Sequence, residues 1–148
     1  MIKLLKKIVS YYFKCLNNLL KKQLSLGDIN SVILADFPKT VIVNRDLLYR
    51  TASLKTFRTL LLTNLVKHRK YESEYFDCDE FSLVLMAIMR FLFPGIAFGK
   101  VDVKVGRVKH SLNFFIDDKR HIFFVEPQDG KVSFAPVSKK FKPYRWEI

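Results

Sequence analysis

The chain is short of the residues that punctuate or staple a fold. Among 148 residues there are two Cys, five Gly and five Pro. Two cysteines cannot supply the disulfide framework of a small secreted domain, nor a four-cysteine zinc site. So little Gly and Pro excludes collagen-like and low-complexity classes. No stretch of about 18 uncharged apolar residues occurs, which argues against a membrane-spanning helix. Acids are absent from residues 1–26, which hold six Lys. What the chain does have is apolar material: 49% hydrophobic residues and 14 Phe. That suffices to bury a core and excludes wholesale disorder.

Lys and Arg outnumber Asp and Glu by 26 to 14, a net charge of +12. Such an excess attracts anionic surfaces. The acids, however, gather in one place. Glu72, Glu74, Asp77, Asp79 and Glu80 are five of the 14, and they surround Cys78. A phosphate backbone would be repelled there, so nucleic acid is not expected as a partner.

Residues 2–24 read as an amphipathic helix, with Leu5, Ile8, Val9, Tyr12, Leu16, Leu19 and Leu20 on one face and the Lys residues opposite. Such a helix either packs on the domain or lies on an anionic membrane surface. Lysines interrupt any signal-peptide core, so secretion is not expected, and a cytoplasmic or peripheral-membrane location is. Cys15 on this helix reads as structural or as a lipidation candidate. The division expected is residues 1–26 as a basic N-terminal helix and 27–148 as the domain. Residues 29–37 and 40–43 read as short extended segments. Ser53 caps a helix over 54–66, with Phe57, Leu60, Leu61 and Leu65 inward. A second helix runs from about Asp79 to Phe93 and is stopped by Pro94 and Gly95.

Beyond that the period changes to two. Val101, Val103 and Val105 alternate with Asp102 and Lys104. Residues 112–116 and 122–125 form a hairpin about a turn at 117–119, and 132–135 gives a further strand. Helices followed by an antiparallel meander argue for an α+β domain.

Three segments carry candidate chemistry. In FDCDEFS, residues 76–82, a cysteine precedes a helix; in HSLNFFID, residues 110–117, a histidine opens a strand; in FFVEPQDGK, residues 123–131, a glutamate ends the partner strand. A hairpin centred on residue 118 without a bulge sets residue 110 opposite residue 126. A thiolate is favoured by a helix N-terminus, an imidazole can move the proton, and a carboxylate can orient the imidazole. The acids beside Cys78 oppose a low thiol pKa unless they cap the helix. Singly, Cys78 reads as a small buried apolar residue, His110 as a strand-edge histidine and Glu126 as a lysine's partner. His121 reads as a surface hairpin residue. A zinc site from the three lacks CxxC or HExxH spacing.

In this order the motifs resemble those of transglutaminase-like cysteine proteins of the papain-like superfamily, of small bacterial and phage type. FDCDEFS is similar to their Cys-Asp-Asp-Phe-Ala segment, HSLN to His-Ala-x-Asn and VEPQ to Glu-Pro-Gln, with Glu80, Ser82 and Ser111 as departures. The resemblance spans roughly residues 38–136. It implies a papain-like α+β fold, with the cysteine-bearing helix packed on an antiparallel sheet. It further implies a Cys78–His110–Glu126 triad performing acyl transfer or hydrolysis on a peptide or protein substrate, without cofactor or metal. Asn113, Gln128 and Tyr75, with Tyr71 beside them, are its substrate or oxyanion candidates. A catalytically inactive binding module keeping the same fold is the alternative.

Overall fold

A computed structural model describes residues 10, 11, 14, 15, 17–137 and 140–148. Most of the expected N-terminal helix lies outside the described residues. Ser10, Tyr11, Lys14, Cys15 and Asn17 are helical, and the chain is extended by Lys22. Strand β1 (Lys22–Ser25) pairs antiparallel with β3 (Leu48–Thr51). The Arg50 guanidinium ties the N-terminal segment down, donating to Asn17 O at 2.6 Å and Leu20 O at 3.3 Å.

Residues 29–37, expected to be extended, belong instead to helix α1 (Leu26–Asp36). Ser25 and Asp28 form a capping box: the Ser25 hydroxyl accepts from Asp28 N, and the Asp28 carboxylate accepts from Ser25 N. That start signal, with Ile29 and Ile33 buried one turn apart, overrides the strand preference of the β-branched residues. Helix α2 (Leu54–Leu60) is capped by Ser53, whose hydroxyl accepts from Thr56 N at 3.2 Å. It ends earlier than expected and passes into two short 3₁₀ turns, Leu61–Thr63 and Val66–His68. Leu65 consequently lies on the surface rather than in the core.

Helix α3 (Cys78–Leu92) buries Phe81, Leu85 and Met89 at four-residue spacing, with Ser82, Met86 and the following Phe93. Gly95, at φ +76°, turns the chain back behind it. The strands that follow are β4 (Phe98–Val105), β5 (Val108–Ile116), β6 (Ile122–Val125), β7 (Val132–Phe134) and β8 (Lys142–Glu147). With β2 (Val41–Val43) they form one six-stranded sheet in the order β2-β8-β4-β5-β6-β7. Only the β2–β8 pair is parallel. The basic C-terminal segment is thus a central strand, and its Trp146 is fully buried against Phe114 and Phe37.

Alternation along the strands splits the core between the two sheet faces. Phe98, Phe115, Phe123 and Val125 meet α2 and α3. Val101, Val103, Leu112, Phe114, Phe124 and Trp146 meet α1 on the other side. Among the described residues no helix is long and apolar enough to cross a membrane.

Candidate functional site

Helix α3 begins where the sheet's α3-facing side turns polar, and local chemistry fixes its first turn. Asp77 is the N-cap and accepts from Asp79 N at 3.0 Å, while Glu80 reaches back to Asp77 N at 3.0 Å. Two of the five clustered acids are therefore spent on the helix start, where negative charge suits the dipole. Asp79 turns to the sheet. Its carboxylate accepts from the Ser111 hydroxyl and lies 3.6 Å from Lys100 Nζ. Ser111 Oγ is also 2.8 Å from Asp102, which in turn is 3.2 Å from Lys100 Nζ. Burial works against the Lys100 ammonium, but Asp102, ahead of Asp79 and Glu147, more than compensates and holds its pKa above the usual value. Tyr144 borders the same network; burial, then Asp102 and Asp79, push its hydroxyl up.

Asn113 joins helix to sheet. Its side-chain amide is fully buried and donates to Ser82 O at 2.8 Å and Gly99 O at 3.1 Å. Gly99 lets β8 pass close by, since a Cβ there would sit 2.1 Å from Glu147 O. These contacts set the distance between the start of α3 and strands β4 and β5.

At the mouth of this arrangement His110 Nε2 and Glu126 Oε2 lie 3.0 Å apart. The register that brings them together differs from the expected one by two residues. β5 and β6 pair as Asn113↔Val125 through Ile116↔Ile122, a hairpin centred on residue 119. Glu126 is thus reached diagonally, within the range of two long side chains. The turn holds this register because buried Asp117 accepts from Lys119 N at 2.9 Å and His121 N at 2.8 Å.

Cys78, Lys109 and His110 lie between two cavities, of about 310 and 500 Å³. The smaller takes in Asp79, Asp102, Ser111 and Tyr144. The larger takes in Tyr71, Glu126, Gln128, Lys140 and Phe141. Burial raises the Tyr71 hydroxyl pKa, and Asp77 and Cys78 add to it. Of the seven residues singled out from sequence, Cys78, His110, Glu126, Gln128 and Tyr71 share this cleft. Asn113 is enclosed beneath it, and Tyr75 stands outside, 83% exposed. Lys100, Asp102, Ser111 and Tyr144 did not emerge from the sequence as site residues. The available signal was Asp102 itself, an acid in phase with the helix-facing side of a valine-rich strand. Asp77, Cys78 and Asp79 hold potential metal-ligating atoms within 4.8 Å of one another, but both carboxylates are already engaged as described.

No family model matches the sequence, and no curated protein matches it. Solved structures do. A PSL1a-E64 complex is similar to 87% of this chain, with a TM-score of 0.72 and 20% identity. Polyporus squamosus lectin bound to the human-type influenza-binding epitope Neu5Acα2-6Galβ1-4GlcNAc is similar over 87%, with a TM-score of 0.70 and 19% identity. At this identity the likeness is one of fold. The chain spans about half the length of these structures, 52% and 50%.

These findings correct the resemblance drawn from the motifs. Transglutaminase-like kinship of bacterial or phage type, the papain-like character of the fold, cysteine-dependent acyl transfer or hydrolysis and a peptide or protein acyl substrate give way to likeness in fold to these structures, one of them a lectin that holds a glycan; the layout of α3 packed on a largely antiparallel sheet stands. The cleft supplies a physical reason for the correction in activity. Burial pushes the Cys78 thiol above its ordinary range, and Asp79 and Asp77 add to the shift; the N–H groups of Ser111 and Cys78 pull the other way without reversing it. Among the described residues no hydrogen bond joins the Cys78 sulfur to His110, whose Nε2 is committed to Glu126.

Proposed function

We propose that this domain is a non-enzymatic binding module that takes a glycan in the cleft around Cys78 and His110. The observation that carries the reading is the composition of that cleft. Tyr71 and Phe141 offer flat apolar surface for the C–H face of a sugar ring, Glu126 and Gln128 offer hydrogen-bonding groups for hydroxyls, and Lys109 and Lys140 offer positive charge. An acidic sugar suits this set better than a neutral one, and the fold's likeness to a lectin holding a sialylated trisaccharide supports the choice.

Titration of the full chain with Neu5Acα2-6Galβ1-4GlcNAc, followed by NMR, tests it. Shifts should concentrate on residues of the larger cavity. Glu126→Gln and Lys109→Ala should weaken binding about tenfold each, as expected for loss of a charge-assisted hydrogen bond worth about 1.5 kcal/mol. Removing the sialic acid should weaken it comparably. Shifts scattered away from the cleft would overturn the proposal, as would irreversible capture of E64 by wild type but not by Cys78→Ser.

A further inference from the structure

The first turn of α3 builds the cleft, but among the described residues the outward face of the same helix is left exposed. Leu83, Val84 and Ala87 are exposed on it, and Phe91 is 84% exposed. Across from Phe91, on the segment after α2, Leu62 and Leu65 are 73% and 69% exposed. Between them runs a groove of about 590 Å³ lined by Leu65, Ile88, Phe91 and Leu92, with Thr63 the one polar residue. A helix face turned to water normally carries charge. Arg90 is the only charged residue between Leu83 and Leu92, and it is paired with Asp46. Contiguous exposed apolar surface of this kind marks an interaction site.

Charge says what covers it. The segment 54–70, whose Thr63 and Leu65 form the groove's other bank, holds five Lys or Arg and no acid. Arg58 and Lys67 line a polar cavity of about 300 Å³ that shares Leu62 with this bank. Among the described residues neither makes an ion pair. The one carboxylate in that cavity, Asp129, is held by Lys131 at 2.7 Å. A second copy of the chain would bring the same basic bank and another +12 against it. The exposed apolar stretch of α3, from Leu83 to Leu92, is roughly 15 Å long, room for nearly three turns of a helix.

We infer that this face is a docking groove for an amphipathic helix of an acidic partner protein, apolar side chains against Phe91 and Leu65 and carboxylates against Arg58 and Lys67. Apolar anchors at helical spacing supply the affinity in such grooves, and flanking charges select the partner. The inference concerns a different surface from the glycan cleft and does not depend on it.

Fluorescence anisotropy with two labelled helical peptides tests the proposal on the full chain. Both carry Leu at positions i, i+3, i+4 and i+7; one has Glu on the flank, the other Lys. The acidic peptide should bind, and the basic one should bind about tenfold more weakly at low salt. Arg58→Glu with Lys67→Glu should remove that preference, and Phe91→Asp should abolish binding. All three side chains lie at the surface, and unchanged thermal unfolding would confirm that each variant is folded. Equal binding of the two peptides, or binding of neither, would overturn the inference. So would a dimer seen by light scattering in wild type and lost in Phe91→Asp, since the occupant would then be a second copy.

Discussion

Gly99 offers the sharpest test of how the helix is set against the sheet. An alanine Cβ there would lie 2.1 Å from Glu147 O and 2.6 Å from the Phe114 ring. Neither neighbour can yield cheaply. The carbonyl belongs to β8, which is paired with β4 at Lys100↔Glu147, and Phe114 is buried with its ring 4.7 Å from that of Trp146. Relief requires β8 to move away by more than an ångström, losing ladder hydrogen bonds and opening the core beside Trp146. Overpacking costs about 1–3 kcal/mol and each lost hydrogen bond about 1, so Gly99→Ala should destabilise by about 3 kcal/mol. In a chain of this size that lowers the melting temperature by about 6–12 °C. Gly106→Ala is the matched control: nothing lies within 4 Å of its Cβ, and φ is +62°. It should cost about 1 kcal/mol, the left-handed penalty less the entropy removed from the unfolded chain. Urea unfolding of the three proteins provides the assay. A Gly99→Ala loss no greater than that of Gly106→Ala would refute the close approach of β8.

Two further outcomes follow from the charges. Burial and the Asp79 and Asp77 carboxylates hold the Cys78 thiol neutral at pH 7, so iodoacetamide should label it more slowly than an unfolded control; its rate should rise only above the ordinary thiol range, and faster labelling at pH 7 would contradict this. The Asp28 carboxyl is held below its usual pKa by the Ser25 N–H, then by the Ser25 hydroxyl and by Arg120, with burial opposing. Its contribution to stability is therefore present above about pH 4 and lost as pH falls through the lowered value, and Asp28→Asn should remove part of the acid-induced loss in a pH series of unfolding curves.

Much of the secondary structure could be read because signals agreed. At α3 an N-cap acid, a partner acid three residues on, apolar residues at four-residue spacing and a Pro-Gly stop all indicate one helix. The hairpin of β5 and β6 was equally plain, yet its register was not. Its centre depends on Asp117 accepting from two turn N–H groups, which alternation alone does not report. Helix α1 was obscured because Ile29, Val32 and Ile33 favour strands, and only the Ser25–Asp28 box and tertiary burial reverse that. Strand β8 was obscured for the opposite reason: Lys142 and Arg145 point to a surface tail, while Trp146 lies at the centre of the core.

The motifs that suggested an acyl-transfer enzyme show why short patterns mislead. Several of their residues have work to do in holding this fold. Asp77 and Glu80 cap α3, Phe81 fills the core, and Ser82 lends its carbonyl to Asn113. Ser111 bridges Asp79 and Asp102, and Glu126 holds His110. A helix of fixed start, pinned to two strands by buried polar groups, demands this set of residues whatever the cleft above it binds. What would distinguish one chemistry from another is the protonation of the central thiol, and that depends on how deeply α3 buries it and on where Asp79 points. Both are set by contacts with β4 and β5 that are far away in sequence. The residue pattern therefore located the cleft, while the character of the cleft had to come from the fold.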